Sequence, residues 1–245
     1  MGAPRFFVPL ALTTSSIGQT IPLPDAAAHH AVRVVRLAVG DVLTLFDGAG
    51  GEYMATLSRI ERNGADVRVE QFDPVERESP LPVTLAQAIA ANDAMDYALR
   101  KAVELGVAAI QPLVTERSAP LPSGERGERR LAHWRGVAVA ACEQCGRNRI
   151  PSIAAPLPWR DWLAAWKGAG IVLAPAAASS LAGLARPTPP VAVAIGPEGG
   201  FADREIDAAR AAGFHAVAFG PRVLRTETAV VAALTAMQML WGDLR

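Results

Sequence analysis

A loop of three glycines and one carboxylate, Gly196-Pro197-Glu198-Gly199-Gly200, follows a run of apolar residues near the C-terminus. Glycines allow a backbone to approach a ligand closely and to adopt positive φ. The spacing fits neither of the two common phosphate-binding fingerprints, Gly-x-Gly-x-x-Gly and the Gly-Lys-Ser/Thr loop. A pyrophosphate beside Glu198 would be repelled by about 4 kcal/mol per close pair of like charges. The loop therefore favours a ligand that is neutral or cationic where it faces Glu198.

S-Adenosylmethionine is a ligand of this kind. It has a cationic sulfonium, no phosphate, a ribose diol and an adenine that backbone groups can bind. The alternative interpretation of the same residues is a plain Gly-Pro turn before a helix, with Glu198 helping to cap that helix. The loop alone leaves both interpretations open.

A second polar loop precedes the last helical segment and contains Arg225. A guanidinium at the junction of a strand and a helix can anchor a phosphate or stabilise a developing anion. The structural alternative is an ion pair of Arg225 with Glu227 or Glu198. Thr226 or Thr228 is expected to cap the helix that follows.

Residues 83–245 alternate short apolar runs with amphipathic segments. The runs predict strands at 83–89, 109–114, 171–173, 191–195 and 217–219, and the segments predict helices at 93–105, 125–147, 203–212 and 226–241, the first capped by Asn92. Such alternation is typical of a mainly parallel sheet with helices on both faces. Because ligands bind beyond the carboxyl ends of such strands, the loops after residues 173, 195 and 219 should converge if their strands are neighbours.

The first seventy-odd residues predict β structure instead. The pattern indicates strands near 42–46, 52–57 and 67–70, a turn at Asn63-Gly64, and one helix near 25–37. Many short strands with one helix indicate a small barrel. Prolines and charged residues concentrate between residues 73 and 82, which indicates a linker.

The composition excludes several classes of protein. Of the 245 residues, 51% are hydrophobic and 20% are charged, so the chain is not mostly disordered. The formal net charge is 0, so any contact with nucleic acid must come from a local patch, and basic residues are most concentrated at 100–149. Two cysteines indicate a reducing compartment and predict a cytoplasmic location. The uncharged stretch 168–185 is interpreted as a strand, a turn and a short helix rather than a membrane span.

No metal site is predicted. His29 and His30 are adjacent, so they point in different directions on a helix and make a poor pair of ligands. Cys142 and Cys145 resemble half of a zinc or redox motif, but no second pair exists. Both cysteines are interpreted as incidental helix residues.

Two C-terminal motifs together resemble one known family. Ile195-Gly-Pro-Glu-Gly-Gly-Phe201 and Gly220-Pro-Arg-Val-Leu-Arg-Thr-Glu-Thr-Ala229 are similar to the ribosomal RNA small-subunit methyltransferase E family, which belongs to the SPOUT class of knotted methyltransferases. Further matches are Lys101-Ala-x-Glu-Leu-Gly-Val107, Glu143-Gln-x-Gly-Arg147, the N-terminal Arg5-Phe-Phe and His30-x-Val-Arg-Val-Val-Arg36. The resemblance runs from about residue 5 to about residue 243.

The resemblance implies a fold, a partner and a reaction. The fold would be a PUA-like RNA-binding β-barrel at 1–72, a linker at 73–82, and an α/β SPOUT domain with a trefoil knot at 83–245. The protein would be a homodimer that acts on 16S rRNA or on the small ribosomal subunit, without a metal or a membrane. It would transfer a methyl group from S-adenosylmethionine to ring nitrogen 3 of a uridine.

Four residues are candidates for catalysis. Arg225 is expected to stabilise the uracil anion, and Glu198 to act as a base or to orient a ligand. Glu143 and Arg147 form a second polar pair, for which a surface ion pair is the alternative. Cofactor binding is expected at Leu173, Ile195, Gly196, Pro197, Glu198, Gly199, Gly200, Phe219, Gly220, Val223, Leu224, Arg225, Thr226, Thr228 and Ala229.

Four basic residues are candidates for binding RNA. Arg33 and Arg36 are three apart on a predicted helix, so they would share a face and, with Arg5, grip phosphates. A solvated charged face is the alternative for these arginines. Lys101 is the fourth candidate, and its alternative is an ion pair with Glu104.

Other functions remain open beside the methyltransferase. The chain could be an inactive RNA-binding protein of the same fold, or a methyltransferase that acts on a ribose or on tRNA. A dinucleotide-dependent oxidoreductase is disfavoured by Glu198 and by the failed fingerprints. The apolar stripe of the last helix is the predicted contact between two protomers.

Overall fold

The computed structural model describes residues 2–62, 64–120 and 124–244. The chain divides into two compact units. The first unit comprises Met1–Glu78 together with Cys142–Ile150, and the second comprises Ser79–Ala141 together with Pro151–Arg245. The first unit is therefore built from two separate stretches of sequence.

The first unit is a five-stranded mixed sheet with one short helix. Its elements are β1 (Arg5–Phe7), β2 (Thr20–Pro22), α1 (Asp25–His29), a π-helical turn (His30–Val35), β3 (Val42–Phe46), β4 (Glu52–Ile60) and β5 (Ala65–Asp73). The strand order is β1-β3-β4-β5-β2. β1 pairs with β3 in parallel, and the other neighbours are antiparallel.

Alternation along the strands builds the core of this unit. Tyr53, Ala55 and Leu57 of β4 are buried, while Met54 between them is exposed. Alternating side chains of a strand point to opposite faces of the sheet, so one face covers the core. The strands predicted at 42–46, 52–57 and 67–70 are confirmed. Asn63 of the predicted turn lies outside the described residues.

The second unit is a parallel sheet with helices. Its strands are β6 (Val83–Ala88), β7 (Ala109–Val114), β8 (Ser152–Ile153), β9 (Leu157–Pro158), β10 (Ala169–Leu173), β11 (Val191–Ile195) and β12 (His215–Val217). Its helices are α2 (Asn92–Glu104), α3 (Glu125–Cys145, whose last residues from Cys142 group with the first unit), α4 (Trp159–Ala165), α5 (Asp203–Ala211) and α6 (Thr226–Trp241). The predicted α/β unit with a second, smaller β unit is confirmed.

The strand order brings the polar loops to one edge. The order is β12-β10-β11-β6-β7-β8, with β9 also on β7, and the pairings between described strands are parallel. β12, β10 and β11 are therefore neighbours, and their carboxyl ends lie at the same edge of the sheet. The predicted convergence of the loops after residues 173 and 195 with the loop before α6 is confirmed.

Aromatic residues hold the helices α4 and α5 to the sheet. Trp159 stacks on Phe201 with 4.9 Å between ring centroids, and Trp162 meets Phe214 edge-on at 5.9 Å. These side chains belong to a buried cluster with Ala192 and Ala194 of β11. Small residues on the strand thus make room for large rings from the helices.

Several local predictions were wrong by a few residues. The strand predicted at 217–219 lies at 215–217, so Phe219 is in the loop that follows. Asn92 begins α2 rather than capping it, and the capping position is Ala91. Arg225, rather than Thr226 or Thr228, occupies the capping position of α6. The helix predicted at 125–147 ends at Cys145.

Within the described ranges, none of the helices combines the length and the apolar character needed to cross a bilayer.

Candidate functional site

The three converging loops of the second unit enclose a cavity of ≈ 440 Å³. Its wall contains thirteen of the residues predicted to bind a cofactor: Leu173, Ile195, Gly196, Pro197, Glu198, Gly199, Gly200, Phe219, Gly220, Val223, Leu224, Thr226 and Ala229. The structure thus gathers into one wall residues that the sequence separates by up to fifty-six positions. This cavity is called the first cavity below.

The glycines of the loop after β11 are required by its geometry. A Cβ on Gly196 would lie 2.8 Å from the backbone nitrogen of Phe201 and 3.0 Å from the carbonyl carbon of Gly200. Gly200 has a φ of +66°, and its nitrogen donates a hydrogen bond to Pro197 O at 2.9 Å. The loop therefore folds back on itself so tightly that its backbone forms part of the cavity wall.

Thr226 ties this loop to the start of α6. Its hydroxyl donates a hydrogen bond to Gly196 O at 2.6 Å and accepts one from Gln87 Nε2 at 3.0 Å. Thr226 and Gln87 are buried. Gln87 was missed by the sequence analysis, although a lone amide within the apolar run at 83–89 was a signal of a buried polar contact.

Glu198 is exposed, and one of its oxygens is held by a second helix. Its Oε1 accepts a hydrogen bond of 2.7 Å from the backbone nitrogen of Ala91, which is the capping position of α2. The helix directly after the loop, α5, is held instead by Glu205, which accepts a bond from Ala202 N at 2.9 Å. Glu198 thus caps a helix from a distance, and its charge lies at the positive end of that helix.

Charged side chains surround the first cavity. Arg117 donates a hydrogen bond to Gly199 O at 2.9 Å, and Arg210 pairs with Asp207 at 3.0 Å. Both arginines line the cavity, as does the exposed Arg222. Arg117 was not predicted as a site residue, although it follows the carboxyl end of β7, and ligands of parallel sheets bind beyond such ends. The first cavity therefore combines apolar and backbone walls with a charged surround.

A second cavity, of ≈ 870 Å³, shares part of its wall with the first. It is lined by Ala91, Asp93, Ala94, Tyr97, Glu198, Arg225, Thr226, Glu227, Thr228 and Val231. Glu198 and Thr226 line both cavities. Arg225 and Thr228, which were predicted to bind the cofactor, line the second cavity and not the first.

Arg225 is available for a ligand. It is exposed, and its guanidinium makes no hydrogen bond and no ion pair with the residues that the structure describes. The alternative of an ion pair with Glu227 or Glu198 was therefore wrong. Arg225 and Glu198, the first two catalytic candidates, line the same cavity.

Glu143 and Arg147 lie in the first unit and line neither cavity. Glu143 Oε1 accepts a hydrogen bond from Phe7 N at 2.9 Å. Arg147 is buried and forms an ion pair with Glu78. Burial would lower the pKa of Arg147, but its hydrogen bond and charge interaction with Glu78 outweigh burial and raise that pKa. Both residues thus make contacts that stabilise the first unit.

Arg5 belongs to the same group of contacts. Its guanidinium donates to Glu52 Oε2 and to Asn148 Oδ1, each at 2.5 Å. Arg77 also donates to Glu52 Oε2, at 3.0 Å. Burial raises the pKa of Glu52, but the hydrogen bonds from Arg77 and Arg5 more than offset this, so the pKa is lower than normal.

The other RNA-binding candidates have different surroundings. Arg33 and Arg36 are exposed, but the helical segment ends at Val35 and Arg36 has a left-handed φ of +65°. They therefore do not share one helix face as predicted. Lys101 Nζ lies 2.8 Å from Oε2 of Glu104, so the predicted pairing is confirmed.

No group of three or more potential metal ligands comes together within residues 2–62, 64–120 and 124–244. Neither Cys142 nor Cys145 forms a disulfide within the described residues, and burial raises the pKa of the Cys142 thiol to about 12. A thiol with that pKa remains protonated near neutral pH, so it is a poor nucleophile and a poor ligand.

Comparisons with known proteins match two parts of the chain to two families. Residues 77–238 match the family described as RNA methyltransferase domain, and residues 23–70 match the RNA methyltransferase PUA domain. Ribosomal RNA small subunit methyltransferase E of Buchnera aphidicola subsp. Schizaphis graminum is 34% identical over 246 residues, which cover 98% of both chains.

Two solved structures are similar over the whole chain. The protein Lpg2936 from Legionella pneumophila, solved with bound S-adenosylmethionine, is 38% identical, with a TM-score of 0.95 and complete coverage of both chains. Ribosomal RNA small subunit methyltransferase E from Neisseria gonorrhoeae, also bound to S-adenosylmethionine, is 39% identical, with a TM-score of 0.91 and the same coverage.

Proposed function

The chain belongs to the ribosomal RNA small subunit methyltransferase E family, and from this premise we propose that it methylates ring nitrogen 3 of a uridine in 16S rRNA. The methyl donor is S-adenosylmethionine. The observation that carries the proposal is the pair of adjoining cavities in the second unit. One has the loop geometry of a cofactor site, and the other holds an unpaired guanidinium.

The first cavity fits the cofactor. Leu173, Ile195 and Leu224 offer an apolar surface to an adenosine, and the tight backbone at Gly196 leaves room that a Cβ would fill. Its wall carries three carboxylates, on Glu198, Asp203 and Asp207, and three arginines, at 117, 210 and 222, so the fit rests on the apolar and backbone surfaces rather than on net charge. When bound, S-adenosylmethionine supplies an activated methyl group on a sulfonium.

Arg225 carries the electrostatic part of the proposed mechanism. The N3 proton of uracil must leave before or during attack on the methyl carbon, and the departing proton leaves negative charge on the ring. The unpaired guanidinium of Arg225 in the second cavity stabilises that charge. The new N–C bond then forms as the S–C bond breaks, and the proton passes to solvent.

Glu198 takes the orienting role rather than the basic one. Its Oε1 is engaged by Ala91 N, and its carboxylate lies in the wall that the two cavities share. A side chain fixed in that position can hold the glycine loop against the start of α2. This contact keeps S-adenosylmethionine and the uridine correctly positioned relative to each other.

RNA binding and assembly extend the proposal. The residues at 1–72 would form the PUA-like RNA-binding domain, 73–82 the linker, and 83–245 the methyltransferase domain, with the trefoil knot that the resemblance implies. The exposed Arg33 and Arg36 support an RNA-binding surface on the first unit. The apolar stripe of α6 mostly packs inside the protomer, where Val230, Leu234 and Met237 are buried, so it is not the predicted contact between two protomers. The exposed apolar residues Met239 and Leu240 of the same helix support a homodimer instead. A cytoplasmic location is supported by the two cysteines, which form no disulfide within the described residues.

Mapping of methylated nucleotides by mass spectrometry tests the proposal. The protein is incubated with S-adenosylmethionine and either deproteinised 16S rRNA or small ribosomal subunits, and a single 3-methyluridine is expected. Methylation of a ribose, or of tRNA instead, would reassign the target. No transfer to any RNA, with the cofactor bound normally, would favour an inactive RNA-binding protein.

Calorimetry tests the cofactor separately. S-Adenosylmethionine and S-adenosylhomocysteine are expected to bind, and NAD is not. Binding of NAD in place of either sulfur ligand would overturn the assignment of the first cavity.

A further inference from the structure

The charges of the second cavity favour a nucleobase over a phosphate. Its wall carries the carboxylates Asp93, Glu198 and Glu227 and one cation, Arg225. A phosphate would be attracted by the one guanidinium but repelled by the acidic groups around it. An uncharged base that develops negative charge only during the reaction avoids most of that repulsion and still uses Arg225.

Tyr97 is the only aromatic residue among those that line this cavity. It lies on α2, and 42% of its surface is exposed, so its ring is accessible to a ligand in the cavity. Proteins that bind an unpaired nucleotide commonly stack its base on such a ring, because every base offers a flat π surface. The ring of Tyr97 therefore has the position and the exposure of a stacking surface.

Two further residues of α2 hold the Tyr97 ring in place. Lys101 Nζ lies 5.8 Å from the centroid of the ring, within the range of a cation–π contact. The same ammonium lies 2.8 Å from both carboxylate oxygens of Glu104. Tyr97, Lys101 and Glu104 are spaced four and three residues apart, so they follow one face of the helix. Lys101 is thus engaged on both sides, by a carboxylate and by a ring.

We propose that Tyr97 is the stacking surface for the target uracil and that Lys101 is a positioning residue that acts through Tyr97. The inference rests on the proposed function, because it assigns the acceptor base to the second cavity. Arg225 and Tyr97 then have separate roles at the base: Tyr97 binds its face, and Arg225 stabilises the charge that develops on it. Lys101, a candidate for phosphate binding, is assigned a different task.

Substitutions at Tyr97 test the stacking role. Tyr97→Ala is expected to lower kcat/KM for the RNA by about 5- to 150-fold, the range for loss of one stacked base. Tyr97→Phe keeps the ring and should remain within about 2-fold of the unsubstituted protein. The affinity for S-adenosylmethionine, measured by calorimetry, should not change in either variant. Normal kcat/KM in Tyr97→Ala would overturn the inference. The proposed function would still stand in that case, because it rests on methylation by the unsubstituted protein.

A direct probe distinguishes stacking from an indirect effect on folding. RNA that carries 5-iodouridine at the methylated position is irradiated with the full-length protein, and cross-linked peptides are identified by mass spectrometry. A cross-link to Tyr97 is expected. Cross-links confined to peptides that lack Tyr97 would overturn the inference, even if Tyr97→Ala had low activity.

Lys101→Met separates positioning from phosphate binding. If Lys101 acts through Tyr97, the substitution lowers kcat/KM by about 2- to 5-fold, has no further effect in Tyr97→Ala, and leaves the salt dependence of RNA binding unchanged. If Lys101 binds a phosphate, the slope of log K against log salt falls by about 0.7 to 0.9, and the effect persists in Tyr97→Ala. The second result would overturn the role assigned to Lys101.

Discussion

The hydroxyl of Thr226 and the carbonyl oxygen of Gly196 are joined by a hydrogen bond of 2.6 Å. Thirty residues separate the two along the chain. The bond connects the first turn of α6 to the loop after β11, and Gln87 Nε2 donates to the same hydroxyl from β6. The wall between the two cavities is therefore fixed by a buried polar contact among three separate elements.

Removing this hydroxyl should weaken cofactor binding. Thr226→Val keeps the shape of the side chain but leaves Gly196 O and the Gln87 amide without their partner, at a cost of about 1–3 kcal/mol. We expect a lower melting temperature and a weaker affinity for S-adenosylmethionine by calorimetry. Thr226→Ser retains the hydroxyl and serves as the control. Equal affinity in the Val and Ser variants would show that the bond does not shape the site.

Loss of the Arg225 guanidinium should affect turnover more than cofactor binding. Arg225→Ala is expected to lower kcat by about 100- to 1,000-fold, as for other groups that stabilise a developing anion. The dissociation constant of S-adenosylmethionine should remain within about 2-fold, because Arg225 lines the second cavity and not the first. Arg186, an exposed arginine of the same unit, gives the matched control Arg186→Ala. Turnover near normal in Arg225→Ala would exclude the proposed role.

Two substitutions of Glu198 distinguish orientation from base catalysis. Glu198→Gln retains an oxygen that accepts the hydrogen bond from Ala91 N, so we expect turnover within about 5-fold of normal and an unchanged pH–rate profile. Glu198→Ala removes the hydrogen bond with Ala91 N and should weaken the binding of both S-adenosylmethionine and the RNA.

The contrary outcome for Glu198 is equally measurable. A general base contributes about 100- to 10,000-fold, so a loss of that size in Glu198→Gln, with a missing acidic limb in its pH profile, would assign the proton transfer to Glu198.

The first unit should lose stability in acid through Glu52. Its pKa in the folded protein is lower than the ordinary value of 4.5, so folding is favoured by the ionised form. This contribution is complete well above pH 4.5 and is lost as the pH falls through the lower, folded pKa. Glu52→Gln removes the ion pairs with Arg5 and Arg77 and should flatten this dependence.

Hydrogen exchange is the appropriate measurement for that unit. The five tryptophans, at 134, 159, 162, 166 and 241, lie in the second unit, so their fluorescence does not report on the first. The protection factors of the amides of β4 and β5, which correct for the slower intrinsic exchange in acid, should fall on acidification in the unsubstituted protein and fall less in Glu52→Gln. An identical acid response in the two proteins would remove Glu52 from the explanation.

Local pattern predicted the elements that have strong periodicity. The strand at 109–114 and the helix at 226–241 match the structure at both ends, because a mostly apolar run marks the strand and apolar residues at helical spacing mark the helix. The two-residue strands β8 and β9 were missed, since so short a segment has no period to detect. Thirteen of the predicted cofactor residues line one cavity because parallel strands end at one edge of the sheet.

The sequence pattern could not predict hydrogen-bond and ion-pair partners that lie far apart along the chain. Glu198 was expected to interact with its own loop or with Arg225, but its partner is Ala91, 107 residues away. Arg147 was considered with Glu143, four residues earlier, while its buried guanidinium pairs with the half-buried Glu78. Spacing reports which residues share a helix face, but tertiary packing decides which of them meet.

The segment Cys142–Ile150 has a practical consequence for anyone who wishes to isolate the first unit. Asn148 and Arg147 complete the polar interior of the first unit, yet they are encoded far downstream of its last strand. A fragment truncated at residue 78 would leave Glu78 and Arg5 without those counterparts. To keep these contacts, an isolated first unit would need Cys142–Ile150 joined to it by an artificial linker.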